Sequence, residues 1–105
     1  MQSSRNLTFV SALLLAATLA NAADLAGRVT VHSTPIPGAL VTANLLGPRG
    51  AAAVSVVRTD SGGVYVFRGL RDGEYILLVD LNGRRIYQGR ITLTNSALVK
   101  NIALQ

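Results

Sequence analysis

The first residues to consider for chemistry are His32 and Ser33, the one histidine of the chain and a neighbouring hydroxyl. A nucleophilic serine needs a general base within hydrogen-bonding reach. The run LAGRVTVHS alternates apolar and polar residues, which predicts a strand whose neighbouring side chains point to opposite faces. We therefore expect His32 to be a surface residue on the outward face of the first strand. The sequence predicts no catalytic residue.

The acidic residues are few and scattered. Asp60, Asp72, Glu74 and Asp80 each stand near a predicted turn or strand end, and the chain contains no cysteine. A Ca²⁺ site needs about six to eight oxygen ligands, whereas an aspartate that opens a turn typically accepts hydrogen bonds from nearby backbone N–H groups. We predict no metal site and no cofactor.

The aromatic residues suggest one possible glycan contact. Tyr65, Phe67 and Tyr75 recur at the spacing of inward-facing core residues. Tyr87 follows Arg85 on a later strand, and the pattern does not require it in the core. Because small-ligand sites combine an apolar surface with a few convergent polar groups, Tyr87 and Arg85 are the candidate glycan contact.

The charge pattern argues against nucleic acid as a partner. Ten lysines and arginines against five acidic residues give a formal net charge of +5. The arginines occur singly or in pairs, mostly beside predicted turns, and no basic run is present. This distribution is typical of solvated strand ends.

The amino-terminal residues have the order of a secretory signal. Arg5 precedes a largely apolar stretch that ends in Ala20-Asn21-Ala22, the small-x-small pattern of a cleavage site before Ala23. The apolar stretch is shorter than the roughly 20 residues that span a bilayer. We predict a signal-peptide helix in residues 1–22, export to the periplasm or outside the cell, no membrane span after cleavage and, without cysteine, no lipid anchor.

Period-two alternation dominates the sequence from Leu25 onward and predicts strands rather than helices. Asn82-Gly83 is a strong signal for a two-residue hairpin turn, and Gly89 is expected to form a bulge or bend. The predicted strands cover residues 25–33, 38–46, 51–59, 64–68, 74–81, 84–94 and 97–104. Seven short strands at this spacing predict an all-β fold, a Greek-key β-sandwich formed by residues 23–105.

Several motifs of this region carry a family resemblance. They are Gly27 to Val29, Pro37 to Ala39, Thr59 to Gly63, Tyr65 with Phe67, and Leu70 to Tyr75. In this order they resemble the carboxypeptidase regulatory-like domain family, which has a transthyretin-like (prealbumin-like) sandwich. The resemblance implies a non-catalytic accessory module. Transthyretin-like hydrolases share the fold and end in Tyr-Arg-Gly-Ser, whereas residues 102–105 are Ile-Ala-Leu-Gln. An enzyme is therefore the third alternative.

Five apolar residues are predicted to face away from the aromatic core. They are Val57, Val64, Val66, Ile76 and Leu78. A contiguous exposed apolar patch usually marks an interaction surface, so these residues are the candidate protein-contact face. The other interpretation places them on separate sheets or under a loop. The sequence thus predicts an exported module that binds another macromolecule, above all a protein (itself or an envelope partner), with a carbohydrate-binding module as the alternative.

Overall fold

The computed structural model describes residues 23–94 and 97–105, which form nine strand segments and no helix. The segments are β1 (Ala23–Val31), β2 (Thr34–Pro35), β3 (Leu40–Gly47), β4 (Gly50–Arg58), β5 (Val64–Arg68), β6 (Gly73–Leu81), β7 (Arg84–Leu93), β8 (Leu98–Val99) and β9 (Ile102–Leu104). None of these residues belongs to a helix that could cross a membrane. The predicted signal peptide, residues 1–22, lies outside the described residues.

The strands form two sheets. In the first sheet β1 pairs with β2 and β5 in antiparallel fashion and with β8 and β9 in parallel. The second sheet has the antiparallel order β4-β3-β6-β7. The two sheets pack face to face, so the predicted all-β sandwich is confirmed.

Alternation along each strand builds the core between the sheets. The buried apolar residues are Leu25, Val29, Ala39, Val41, Ala43, Tyr65, Phe67, Tyr75, Leu77, Val79, Ile91, Leu93 and Ile102. Both sheets contribute to this set, and its members alternate with less buried residues along β5, the first half of β3 and the middle of β6. The predicted inward positions of Tyr65, Phe67 and Tyr75 are confirmed.

Nine segments replace the seven predicted strands for two reasons. The two-residue β2 is an additional short pairing, opposite Thr30 and Val31. The last strand is interrupted between β8 and β9, where the Asn101 side-chain oxygen accepts a hydrogen bond from the Arg28 backbone N–H at 3.0 Å. A side chain here replaces the backbone acceptor of a regular ladder.

Gly27 lies at a close approach between β1 and the break in the last strand. Its Cα faces the Lys100 carbonyl so closely that a Cβ would overlap that oxygen and would stand 2.9 Å from the Tyr65 ring. The Tyr65 hydroxyl donates to the same carbonyl at 2.5 Å. Burial, together with the nearby Tyr87 hydroxyl, raises the pKa of Tyr65 well above its usual range, so this donor keeps its proton. These contacts hold the interrupted last strand against β1.

We expect Gly27→Ala to lower the free energy of unfolding by about 2–3 kcal/mol, because the new methyl group overlaps backbone atoms that cannot move independently. Gly47→Ala is the matched control. It also lies in a strand, but its Cβ would meet no atom closer than 3.8 Å, so we expect a change within about 0.5 kcal/mol. Urea unfolding followed by circular dichroism measures both, and equal effects would contradict the proposed overlap.

Candidate functional site

His32 and Ser33 occupy a two-residue turn, so the prediction that they lie on the first strand is wrong. Val31 pairs with Thr34, and β1 ends at Val31. Both side chains are exposed, and no hydrogen bond joins them among the described residues. The His32 backbone N–H donates to the Leu104 carbonyl at 2.8 Å. The turn thus attaches the first hairpin to the last strand and does not form a nucleophile–base pair.

This turn has an unusual backbone. His32 and Ser33 have φ values of 50° and 67°, a left-handed conformation that costs a non-glycine residue about 1–2 kcal/mol. The second tight hairpin uses Asn82 and Gly83 with φ values of 53° and 79°, the pair that such turns favour. That predicted hairpin is confirmed.

We expect replacement of His32 by Asn together with Ser33 by Gly to raise the free energy of unfolding by about 1–2 kcal/mol, since both new residues tolerate the left-handed region. Thermal and urea unfolding measure the change. The reciprocal replacement, Asn82→His with Gly83→Ser, should lower stability by a similar amount. Unchanged stability in both variants would show that these turns store no strain.

The carboxylates have local structural partners. The Asp60 carboxylate accepts hydrogen bonds from the backbone N–H groups of Gly62 and Val64, each at 2.9 Å. Asp80 forms a 2.6 Å ion pair with Arg85. Within residues 23–94 and 97–105, no three His, Cys, Asp or Glu side chains converge on a point that could hold a metal ion.

The two candidate glycan residues lie on opposite faces of the second sheet. Arg85 pairs with Asp80 and points away from the core, whereas Tyr87 pairs with Val79 and packs against the core. A β-bulge at Ile86 separates them and reverses the expected alternation. The prediction that they form one contact is therefore wrong.

Gly89 explains the position of the Tyr87 side chain. A Cβ on Gly89 would overlap the Tyr87 hydroxyl oxygen, so the tyrosine side chain occupies the space that a residue-89 side chain would fill. Gly89 itself pairs regularly with Leu77. The expected bulge at Gly89 is wrong, and its function is to admit an aromatic ring.

The five candidate contact residues do not form one face. Val64 and Val66 lie on the outer face of β5 in the first sheet. Ile76 and Leu78 lie on the outer face of β6 in the second sheet. Val57 packs against the core. The prediction of a single face is wrong, and the alternative of separate sheets describes the structure.

Sequence reasoning missed Val56, which is 54% exposed. Val56 pairs with Thr42, Thr42 pairs with Leu78, and these three residues form one row across the outside of the second sheet. Alternation does not assign a direction to the Val56 side chain, because β4 is apolar on both faces. The bulge at Val54 also shifts the register of β4.

We call this region the outer surface of the four-stranded sheet, and it consists of Thr42, Asn44, Val56, Ile76 and Leu78. The Asn44 side-chain amide donates to the Ile76 carbonyl at 3.1 Å, which holds it flat beside the apolar residues. Two ion pairs border the surface, Asp80–Arg85 at 2.6 Å and Glu74–Arg90 at 3.9 Å. An apolar centre with a charged rim is the usual anatomy of a protein interface.

The outer face of the first sheet carries a smaller apolar row. Ala26 pairs with Val66 on one side and with Val99 on the other, and Val99 is 70% exposed. Arg28 follows on the same face and is exposed. This face is a suitable internal comparison for experiments on the second sheet.

The fold and its surfaces define a small β-sandwich domain of the transthyretin type. Residues 24–105 match the family model described as the carboxypeptidase regulatory-like domain, and the chain belongs to this family. Among solved structures, transthyretin from Sparus aurata is similar, with a TM-score of 0.60 and 11% sequence identity over 78% of this chain and 88% of the other. This likeness concerns the fold alone. No curated protein sequence gives a match.

Proposed function

We propose that this domain is an exported, non-catalytic module that binds another protein through the outer surface of the four-stranded sheet. The observation that carries the proposal is the row in which Val56 and Leu78 flank Thr42, with Ile76 on the same face. The regulatory-like domain family is non-catalytic. The scattered positions of His32 and the carboxylates agree with this assignment.

The burial of these side chains supports a contact role. Val56 is 54% exposed, while Ile76 and Leu78 are half-buried at the centre of the sheet. The outer face of a sandwich strand is normally polar, so an exposed valine beside two aliphatic residues departs from the usual pattern. Covering this surface would remove apolar area from water, which favours association.

Substituting both Ile76 and Leu78 by Lys tests the surface. We expect the double variant to lose its crosslinked protein partner, or its self-association in analytical ultracentrifugation, because two charges then enter the apolar centre. The matched control is Val64→Lys with Val66→Lys on the other sheet. Circular dichroism verifies that both variants are folded.

Two results would contradict this proposal. One is a wild-type protein that is monomeric and yields no crosslinked partner in its native compartment. The other is an equal loss of the partner in both double variants, since the outer surface of the four-stranded sheet would then have no special part.

The order of a basic residue, an apolar stretch and Ala20-Asn21-Ala22 supports export. We expect the mature protein to begin at Ala23, as measured by amino-terminal sequencing of material from the cell envelope or medium. Ala22→Arg should block processing, because the peptidase pocket accepts only a small side chain, whereas Ala22→Ser should be processed. An unprocessed wild-type chain in the cytosol would contradict export.

A further inference from the structure

Strand β4 has an unpaired edge that lacks charged side chains along its centre. It pairs with β3 on one side, and no described strand pairs with its other side. Residues 50–57 contain no charged side chain, and residues 50–54 are all exposed. Long apolar edges invite pairing with another chain, and proteins normally protect them with charges, prolines or bulges. The nearest charges are Arg49, directly before β4, and Arg58, its last residue, and β4 has a bulge at its centre.

The bulge directs Val54 toward a shallow depression beside the edge. Val54 is the unpaired residue between Ala53 and Ser55, and it is 49% exposed. Val54, Arg68, Arg71 and Tyr75 are among the residues that line the depression. The Tyr75 hydroxyl donates to the Arg71 carbonyl at 2.6 Å and holds the lining loop in place. Bulges that redirect a side chain in this way are common at functional edges.

Four exposed arginines surround this edge. Arg49 and Arg58 stand at the ends of β4, and Arg68 and Arg71 line the depression. Among the described residues, neither of the two ion pairs involves any of these four. The Arg58 guanidinium donates only to a backbone carbonyl, that of Gly38, at 3.1 Å. The edge therefore combines an apolar centre with unpaired positive charge.

This charge pattern selects among possible occupants. Antiparallel pairing of β4 with a second copy would bring Arg49 of one chain beside Arg58 of the other at both ends. Parallel pairing would align each arginine with its own copy. Like charges at such positions destabilise strand pairing, so a second copy fits poorly. Acidic residues opposite these arginines would be attracted instead.

We propose that the free edge of β4 accepts an extended segment of a partner protein, with apolar residues in its centre and an acidic residue at each end. The segment adds as a further strand to the four-stranded sheet. One of its side chains enters the depression beside Val54. This inference rests on the proposed function in protein binding, and it defines the partner's chemistry and its mode of attachment.

Backbone hydrogen bonds identify a residue at which to test the edge. The Thr59 N–H donates to the Ala39 carbonyl at 2.8 Å, which is the direction toward β3. Alternation places the Val57 N–H on that same side and the Val56 N–H on the free edge. Val56→Pro therefore removes a free-edge donor without removing a bond to β3, and proline is tolerated at such positions. Val56→Thr keeps the N–H and is the matched control.

The experiment uses two fluorescent peptides, each with alternating threonine and valine in the centre and either glutamate or lysine at both ends. We expect the glutamate peptide to bind the purified protein at low salt at least about tenfold more tightly than the lysine peptide. Val56→Pro should weaken this binding about tenfold more than Val56→Thr does, because both variants lose the valine side chain and only Val56→Thr keeps the N–H. Replacing Arg49 and Arg58 by Glu should reverse the preference. Fluorescence anisotropy measures each affinity.

Several results would overturn the edge site. The first is that the glutamate peptide does not bind at concentrations up to ~1 mM, and the second is that both peptides bind equally well. The third is that the two Val56 variants weaken binding equally. The fourth is that the wild type is a dimer and Val56→Pro converts it to a monomer. The last result would assign the edge to a second copy. The proposed function has a separate test. If the wild type still crosslinks to a partner and the Ile76 and Leu78 double variant does not, the proposed function stands although the edge site fails.

Discussion

The close approach of β1 to the last strand at Gly27 is the constraint on which the first sheet depends. The Lys100 carbonyl occupies the space of a Gly27 side chain, and the same oxygen accepts the Tyr65 hydroxyl. One oxygen thus connects β1, β5 and the break between β8 and β9. This hydrogen bond is part-buried, so losing it would leave a partly desolvated carbonyl without its partner. The interrupted strand is consequently fixed in place without cysteine.

In the four-stranded sheet, β4 and β7 are the two edge strands. Its two edges differ in chemistry. β7 contains Arg84, Arg85 and Arg90 along its length, and such charges discourage unplanned pairing. β4 keeps its charges at the ends and leaves its centre apolar. This asymmetry favours the addition of a partner strand at the β4 edge and disfavours it at the β7 edge.

Much of the fold could be predicted from the sequence, because period-two alternation is clear wherever one face is polar. β3 follows it with Thr42 and Asn44 outward, the aromatic residues mark the inward face of β5 and β6, and the Asn82-Gly83 hairpin follows from backbone preference. The failures have separate physical causes. Alternation is uninformative in β4, where both faces are apolar, so Val56 was missed in favour of Val57. The bulge at Ile86 reversed the expected direction of Tyr87. His32 was assigned to a strand because its turn lacks the usual asparagine and glycine.

Val56 connects the two proposed contact regions. Its side chain lies in the row with Thr42 and Leu78, and alternation directs its N–H to the free edge. A strand added at β4 would extend the four-stranded sheet, and its outward side chains would continue the row at Val56. On binding, the partner would bury the outer surface of the four-stranded sheet and would also pair with the free backbone N–H and C=O groups of β4. Backbone pairing supplies affinity with little sequence preference, whereas the arginines and the apolar row select the partner. Neither the edge of β4 nor the outer surface of the four-stranded sheet provides both affinity and selectivity on its own.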